Sequence, residues 1–426
     1  MAKTAKSDSV KGLKKIYLIK VEPEANNNKF YYMTELGDGT FKAEYGRVGS
    51  DPDVKIYPMS MWDKKYKEKL SSRKGYSDVT HLYLEEVKTA DEKTTITEIT
   101  NKVVANLVKQ LRGYARISTE ENYLISSEKV TQTMIDEAQA LVDEITGIIK
   151  MDQPVEPINK LLVELFKIIP RRMRNVKDYL FEGGPILDTR DELNAAQRLI
   201  AKEQDTLDVM AGQVSTQNKL DIKTATPSAL NILESMGLIV EEVEENEIPL
   251  IKKLMQDNKH QFKRAFRVIN KRTQDRFDKH LKKVDNKKIE LFWHGSRNEN
   301  WWSILDKGLM LRPANAVRTG AMFGEGIYFA SLFRKSYGYT SGRGSYWAKG
   351  NENSAFLALK AVHVGEQLKI EKHQSWCYDL SLSNLKKRGN YDSLWAVGGA
   401  DLINDEFVVY TEPQCTVTYL VEVSSN

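Results

Sequence analysis

Between Leu291 and Tyr410 the chain carries polar side chains whose order and spacing form a set. The stretch Leu291-Phe-Trp-His-Gly-Ser-Arg297 puts His294, Gly295 and Ser296 at the end of an apolar run. A buried strand over Ile289–Trp293 is therefore expected to deliver them to the floor of a pocket. Gly324-Glu-Gly-Ile-Tyr-Phe-Ala330 supplies Tyr328, and Lys335, Ser336 and Tyr339 follow closely. Asn404-Asp-Glu406-Phe-Val-Val-Tyr410 sets Glu406 at the start of another apolar strand. Taken singly, each has a plainer explanation: a structural histidine, core tyrosines, a solvated strand-end carboxylate. Taken together they offer an imidazole, phenols, an ammonium and a carboxylate, enough to hold a polar ligand and move a proton. Gly295 adds a place where backbone N–H and C=O can approach a flat ligand closely. The Gly324-Glu-Gly326 pair is no dinucleotide loop, since it lacks the G-x-G-x-x-G spacing and the strand–helix context.

In this order the three stretches resemble the catalytic domain of the poly(ADP-ribose) polymerases, NAD-consuming ADP-ribosyltransferases of the diphtheria-toxin type. The resemblance implies NAD+ as a substrate and cleavage of the nicotinamide–ribose bond through an oxocarbenium-like state; the cysteine and histidine spacing predicts no metal site. By the same resemblance Glu406, His294 and Tyr328 are catalytic. His294, Gly295, Ser296, Tyr328, Lys335, Ser336 and Tyr339 bind NAD+. Gly295 and Ser336 would hold the carboxamide, Tyr328 and Tyr339 would sandwich the pyridine ring, and His294 would bond the adenosine ribose. Glu406 would take the ribose 2′-hydroxyl, steady the cation and draw a proton from an incoming hydroxyl. A complete His-Tyr-Glu set is what elongating members of the family carry, whereas transferases adding one unit often lack the glutamate. Three departures stand out: Met310 where the family has an arginine, Glu325 where a lysine is common, and a segment 376–400 unlike the family's glycine-rich stretch. The first bears on adenine contacts, together with the Pro313–Thr319 loop and its Arg312 and Arg318, and the last on the acceptor side.

Upstream, residues 1–12 read as a flexible basic tail. From 13 to 83, β-rich runs, a Gly-Asp-Gly turn at Gly37–Gly39 and a lysine-rich helix imply a small sheet packed on one helix. Its Tyr45-Gly-Arg-Val-Gly49 and Lys74-Gly-Tyr76 resemble a WGR domain, with tyrosine in place of the tryptophan. That resemblance implies a DNA-binding module: Tyr45 and Arg47 at a broken strand's terminus, and Lys64, Lys65, Lys69 and Lys74 along the backbone. Arginine suits phosphate through its planar fork of donors, and Lys65 and Lys69 share one helix face. Residues 84–96 read as a linker. Residues 97–213 show helical periodicity, with a stripe at Val103, Val104, Leu107, Val108 and Leu111. A later helix carries Met134, Ala138, Leu141, Val142 and Ile145 behind Ser127 or Thr131 as cap. Position, Leu165-Phe-Lys-Ile-Ile-Pro170 and Leu207-Asp-Val209 resemble the family's regulatory helical domain. After a connector at 213–226, residues 225–426 form the ADP-ribosyltransferase domain. The fold class is thus α+β: a WGR-like sheet-plus-helix domain, an all-α helical bundle and a mixed, β-rich transferase domain.

Composition agrees with a multidomain globular chain: 426 residues, 41% of them hydrophobic. Residues 1–80 hold 16 Lys/Arg against 11 Asp/Glu, a basic bias suited to phosphates. Residues 231–250 carry six glutamates and no Lys or Arg, whereas 251–290 carry 14 Lys/Arg against five Asp/Glu, so opposite charges are expected to meet. Two cysteines far apart, Cys377 and Cys415, fit a reducing, intracellular compartment and no zinc site. No apolar run reaches the length of a membrane span, and no signal peptide is visible. The expected partners are nicked or broken DNA, acceptor proteins including the chain itself, and a specificity-altering protein, with no membrane. The expected location is nuclear in a eukaryote and cytoplasmic or nucleoid-associated otherwise. The whole resembles a short DNA-dependent polymerase of the family, with single-unit transfer or catalytically weak DNA-end binding as alternatives.

Overall fold

The computed structural model describes residues 13–83, 97–122, 130–149, 152–182, 184–220, 230–311, 322–324, 326–341 and 353–424. The basic tail 1–12, the linker 84–96, Ser127, most of the 213–226 connector's far half, the Arg312–Thr319 loop and Glu325 lie outside them. In chain order the elements are β1 (Lys15–Glu22), β2 (Asn27–Glu35), β3 (Thr40–Arg47), β4 (Asp53–Pro58), α1 (Trp62–Leu70) and β5 (Ser77–Asp78). Helices α2 (Lys102–Asn122), α3 (Gln132–Ile148), α4 (Val155–Ile168), α5 (Arg190–Leu220) and α6 (Ile232–Ser235) follow. Then come β6 (Leu238–Glu242), α7 (Ile248–Met255), β7 (Phe262–Asn270), α8 (Lys271–Leu281), β8 (Ile289–Gly295), α9 (Trp301–Lys307), β9 (Ile327–Phe329) and α10 (Phe333–Tyr337). The last are β10 (Ser354–His363), β11 (Gln367–Ile370), α11 (Leu382–Gly389), β12 (Ser393–Ala396), β13 (Glu406–Val409) and β14 (Cys415–Ser424). The chain divides into two compact units, one of residues 1–87 and 121–195, the other of 88–120 and 196–426.

The first unit holds a five-stranded antiparallel sheet, β4-β3-β2-β1-β5. Leu18, Tyr31, Met33, Phe41 and Ala43 alternate along its strands to build one buried face, and Trp62 of α1 closes it. The α3 helix begins at Thr131, whose hydroxyl accepts from Met134 N (3.1 Å) and donates to the Leu82 carbonyl (2.7 Å). That bond gives the cap a tertiary anchor as well as a local one. The stripe Met134, Ala138, Val142 and Ile145 is buried, as its spacing requires.

The second unit holds two sheets, β6-β7-β14-β10-β8 and β11-β12-β13-β9. All described pairings are antiparallel except β11 with β12. A bridge between Trp293 and Ala330 joins the sheets. Phe407 stacks on Phe292 at 4.1 Å between ring centres, so apolar contact backs that bridge. The stripe of α2 (Val104, Leu107, Val108, Leu111) packs into a core with Phe266, Trp301, Trp302 and Phe356. Gly212 of α5 lies where an added Cβ would come within 2.7 Å of Ser303, so a bare backbone is what lets α5 approach α9. The four long helices of 97–213 are thus shared: α3 and α4 in the first unit, α2 to residue 120 and α5 from residue 196 in the second.

The charge blocks meet as expected: Arg267 pairs with Glu247 at 2.8 Å. Strand β8 departs from the expectation of a wholly buried strand. Phe292 and Trp293 are buried but Ile289 and Glu290 are exposed, because β8 is the edge of its sheet.

Candidate functional site

Three strands converge at the site. β8 ends in His294 and Gly295; β9 carries Tyr328; β13 opens with Glu406. β13 pairs with β9 through Phe407–Phe329 and Val408–Tyr328, and β9 runs into Ala330, the residue bridged to Trp293. Residues more than 100 positions apart in sequence are therefore held by backbone ladders, the stiffest positioning the fold offers.

The Trp293 carbonyl sits at the centre of this construction. It accepts from Ala330 N (3.1 Å) and from the Ser336 hydroxyl (3.1 Å), using both lone pairs. Ser336 is buried on α10, and its proton is spent on Trp293, which leaves its oxygen to accept from a ligand amide. A Cβ on Gly295 would stand 1.8 Å from the Ser336 carbonyl oxygen. Only glycine admits this closeness, and it lets the backbones of β8 and α10 come into direct contact. His294 donates Nδ1–H to the Tyr328 carbonyl (3.2 Å), so in the neutral ring Nε2 is the nitrogen able to accept. Ser296 accepts from Asn300 Nδ2 (3.1 Å).

The Tyr328 hydroxyl donates to the Gly324 carbonyl (2.8 Å) and accepts from Phe323 N (3.1 Å), so it closes its own loop. Gly324 itself has φ +72°, and a Cβ there would lie 2.1 Å from the Leu380 carbonyl oxygen. The divergent segment around Leu380 is thereby seated directly against the loop that holds Tyr328. Tyr339 differs from the other ring: it is 60% exposed. Desolvation of its hydroxyl, and secondarily the charge of Glu406, raise its pKa above the ordinary phenol value.

Glu406 is the most constrained residue of the set. Its Oε1 lies 2.6 Å from Lys335 Nζ, and both side chains are nearly buried. The same ammonium reaches the carbonyls of Asn404 (3.2 Å) and Asp405 (3.3 Å). Glu406 Oε2 is buried and has no hydrogen-bond partner among the described residues. A buried carboxylate oxygen without a donor is costly unless something supplies one, and a ligand hydroxyl would. Asp405, which the sequence reading passed over, ties the approach loop by accepting from Trp395 Nε1 (2.9 Å) and Gly398 N (2.7 Å). Its place beside Glu406 was the one signal available.

The proposed DNA-facing residues of the first unit fall into two groups. Tyr45 stacks on Tyr31, and Lys69 sits over the rings of Tyr31 (4.1 Å), Tyr76 (5.4 Å) and Tyr45 (5.8 Å). Burial among those rings lowers the Lys69 pKa. Lys65 pairs with Glu68 (3.2 Å), Lys64 is exposed and Lys74 half-exposed. Arg47 turns elsewhere: it donates to the carbonyls of Asn26 (2.8 Å), Met173 (2.8 Å) and Arg174 (2.9 Å) and to Asn26 Oδ1 (3.0 Å). Its guanidinium is occupied by the protein itself.

Among the described residues no group of three or more His, Cys, Asp or Glu side chains is placed to hold a metal, and no helix is long and apolar enough to cross a membrane.

An α+β domain with a histidine, tyrosine and glutamate on three adjoining strands, and a glycine pressed against a buried serine, defines a site of the ADP-ribosyltransferase class. Residues 245–425 match the poly(ADP-ribose) polymerase catalytic domain, and the chain belongs to that family. It is 34% identical over 200 residues to protein 101L of Invertebrate iridescent virus 6, covering 46% of this chain and 78% of that one. A poly(ADP-ribose) polymerase-like protein of the same virus, 100L, is 29% identical over 187 residues, 43% of this chain and 98% of that one. Poly(ADP-ribose) polymerase 2 of Homo sapiens is 38% identical over 99 residues, which cover 23% of this chain and only 14% of the human protein.

Proposed function

We propose that this chain transfers ADP-ribose from NAD+ to protein side chains and onward to the growing polymer, with release of nicotinamide, and that DNA strand breaks stimulate it. The observation that carries the reading is the state of Glu406: one oxygen locked by Lys335, the other buried and without a donor. A ribose 2′-hydroxyl supplies that donor. The fixed carboxylate then stabilises the positive charge that grows as nicotinamide departs, and afterwards accepts the proton of the attacking hydroxyl. The bare Gly295 backbone and the Ser336 oxygen hold the carboxamide in plane, Tyr328 and Tyr339 flank the ring, and His294 Nε2 accepts from the adenosine ribose.

Support for a DNA response comes from the exposed Lys64, the half-exposed Lys74 and the Tyr45–Lys69 cluster on one small domain, a combination suited to backbone phosphates and stacked bases. Such a protein acts where DNA is, in a nucleus or nucleoid. The test is nicotinamide release from NAD+ with and without a 5′-phosphorylated nicked duplex, with products resolved on a gel. A ladder that needs nicked DNA supports the whole reading. Equal release by wild type and Glu406→Gln removes it.

One observation favours single-unit transfer as a second reading. The divergent segment around Leu380, which the family resemblance assigns to the acceptor side, packs on the Tyr328 loop at Gly324. A single shifted band in place of a ladder would select it.

A further inference from the structure

The basic block at 251–290 is only partly offset by the acidic block before it. Glu247 pairs with Arg267, but among the described residues no carboxylate of 231–250 pairs with a lysine of 279–288. That stretch carries Lys279, Lys282, Lys283, Lys287 and Lys288, all exposed, against the single acid Asp285. Lys288 reaches Glu290 at 3.6 Å, whereas the other four lysines have no ion-pair partner among the described residues.

The fold brings a second basic run to the first. The Lys288 carbonyl accepts from Val364 N (3.0 Å), just past the end of β10. Two residues further on, Glu366 N donates to Asp392 Oδ2 (2.9 Å), and Asp392 Oδ1 holds Lys386 Nζ at 2.6 Å. Lys386, Lys387 and Arg388 make up the basic last turn of α11, and all three are exposed. His280, near the end of α8, lies between the runs: its Nε2 bonds His363 Nδ1 (2.9 Å), and the charges of both Lys283 and Lys386 act on it. The acids on this face are Asp285, Glu290, Glu366 and Asp392, and two of them are already taken up by Lys288 and Lys386. None of these residues belongs to the His294–Glu406 site. β8 begins beside Lys288 and ends at Gly295, and its seven residues span about 20 Å.

The kind of partner follows from what the face lacks. Neither run carries an aromatic residue, and the flanking rings, Phe277 and Tyr391, are buried and half-buried. Single strands and polymers with free bases are held by stacking rings as well as by charge, whereas a duplex hides its bases and displays phosphates. Flexible, unpaired lysines suit the duplex, because each can neutralise a phosphate and release a counterion without reading sequence. We propose that this face of the second unit binds the phosphate backbone of duplex DNA without regard to base sequence. The proposal rests on the DNA reading above only for the choice of polyanion.

The test measures binding of the full chain to a dumbbell duplex of mixed sequence over a range of salt. Loops close both ends of this duplex, so recognition of a DNA end adds nothing. Lys283→Glu/Lys287→Glu is expected to lower affinity about tenfold or more near 0.1 M salt. It should also flatten the plot of log K against log[salt] by about two, since each lost phosphate contact removes about 0.9. Lys253→Glu/Lys259→Glu makes the same charge change at exposed lysines elsewhere in the unit and should do much less. Thermal unfolding checks that both variants are folded.

A second measurement follows His280 by NMR in the wild type. Burial, His363, Lys283 and Lys386 lower its pKa against a pull from Asp392, so phosphates arriving beside those lysines should raise it. Unchanged affinity and slope in the folded double variant, an equal loss in the control pair, or a His280 titration unmoved by saturating duplex overturns the proposal. So does a loss confined to purified poly(ADP-ribose), which would assign the face to that polymer. No NAD+ turnover enters these measurements, so stimulation by DNA can fail while this binding stands, and the reverse.

Discussion

Lys335 and Glu406 form the tightest ionic contact of the site: 2.6 Å, both side chains nearly buried, with the ammonium also bracketing the Asn404 and Asp405 carbonyls. One lysine therefore sets both the charge and the backbone position of the carboxylate. In a partly desolvated setting such a pair is worth more to orientation than to net stability. We predict that Glu406→Gln still folds, with a lowered melting temperature because Lys335 loses its counter-charge, and lowers nicotinamide release by about 100-fold or more, the usual scale for removing one preorganised group. Lys335→Met should approach the same loss, whereas Lys335→Arg keeps the charge and should recover part of it. Steady-state NAD+ turnover of the three variants checks this, and full activity in Lys335→Met would sink the positioning role.

Gly295→Ala probes the closest approach in the site. Its new methyl would stand 1.8 Å from the Ser336 oxygen, so β8 and α10 must part. The expected result is a loss of about 1–3 kcal/mol of stability, the scale of overpacking a tight contact, and loss of NAD+ binding. Thermal unfolding and isothermal titration with NAD+ or a benzamide separate the two effects. Unchanged affinity would mean the space beside Gly295 is not where the carboxamide lies.

Arg47 offers a prediction at odds with its expected role at a DNA end. Its donors satisfy carbonyls of Asn26, Met173 and Arg174 within the first unit. Truncation leaves those acceptors short, and hydrogen bonds from a charged donor carry about 1.5–3 kcal/mol each at most. Arg47→Ala is therefore expected to destabilise the first unit measurably in urea titration, and to alter any DNA response through the fold. If stability is unaffected while DNA stimulation disappears, a direct DNA contact is the better account.

The convergence of His294, Tyr328 and Glu406 was legible because these residues lie on strands. The apolar parity of Leu291–Trp293 and of Phe407–Tyr410 marks strands, and strand ends are where a ladder can present a side chain without burying it. The α2 stripe was equally legible as a stripe, but not its destination. A row of valines and leucines at helical spacing says that one face is buried, not that Trp301, Trp302 and Phe356 cover it. The hydrogen bonds of Arg47 were illegible for a related reason: its partners Met173 and Arg174 lie more than 120 positions away, and Gly-Arg-Val-Gly carries no trace of them. The WGR resemblance assigns Lys69 to the DNA backbone, whereas its place over three tyrosine rings depends on strand pairing that a run of lysines does not reveal. Lys360 was hidden inside an otherwise apolar strand, where the run of Phe, Leu and Ala around it signals burial of the strand but not of the lysine itself.

Glu422 makes the acid response of the second unit predictable. It lies buried on β14, where it accepts from Ser354 Oγ (2.7 Å) and pairs with Arg264 (2.5 Å) and Lys263 (3.4 Å). Burial by itself raises its carboxyl pKa, but the bonds from Ser354 and Arg264 and the nearby positive charges outweigh it, and the pKa falls below the ordinary value. A carboxylate whose folded pKa is depressed contributes its stability above the unfolded value of about 4.3, and that contribution is lost as pH falls from there through the lower folded value. Stability of the wild type should therefore drop between about pH 5 and pH 3 by more than that of Glu422→Gln, which has no such proton to bind. Glu422→Gln should be the less stable of the two near neutral pH, because Arg264 and Lys263 lose a buried counter-charge. Urea unfolding at both ends of the range, compared between the two proteins, measures the difference, and parallel pH curves would show that the network does not hold Glu422 ionised.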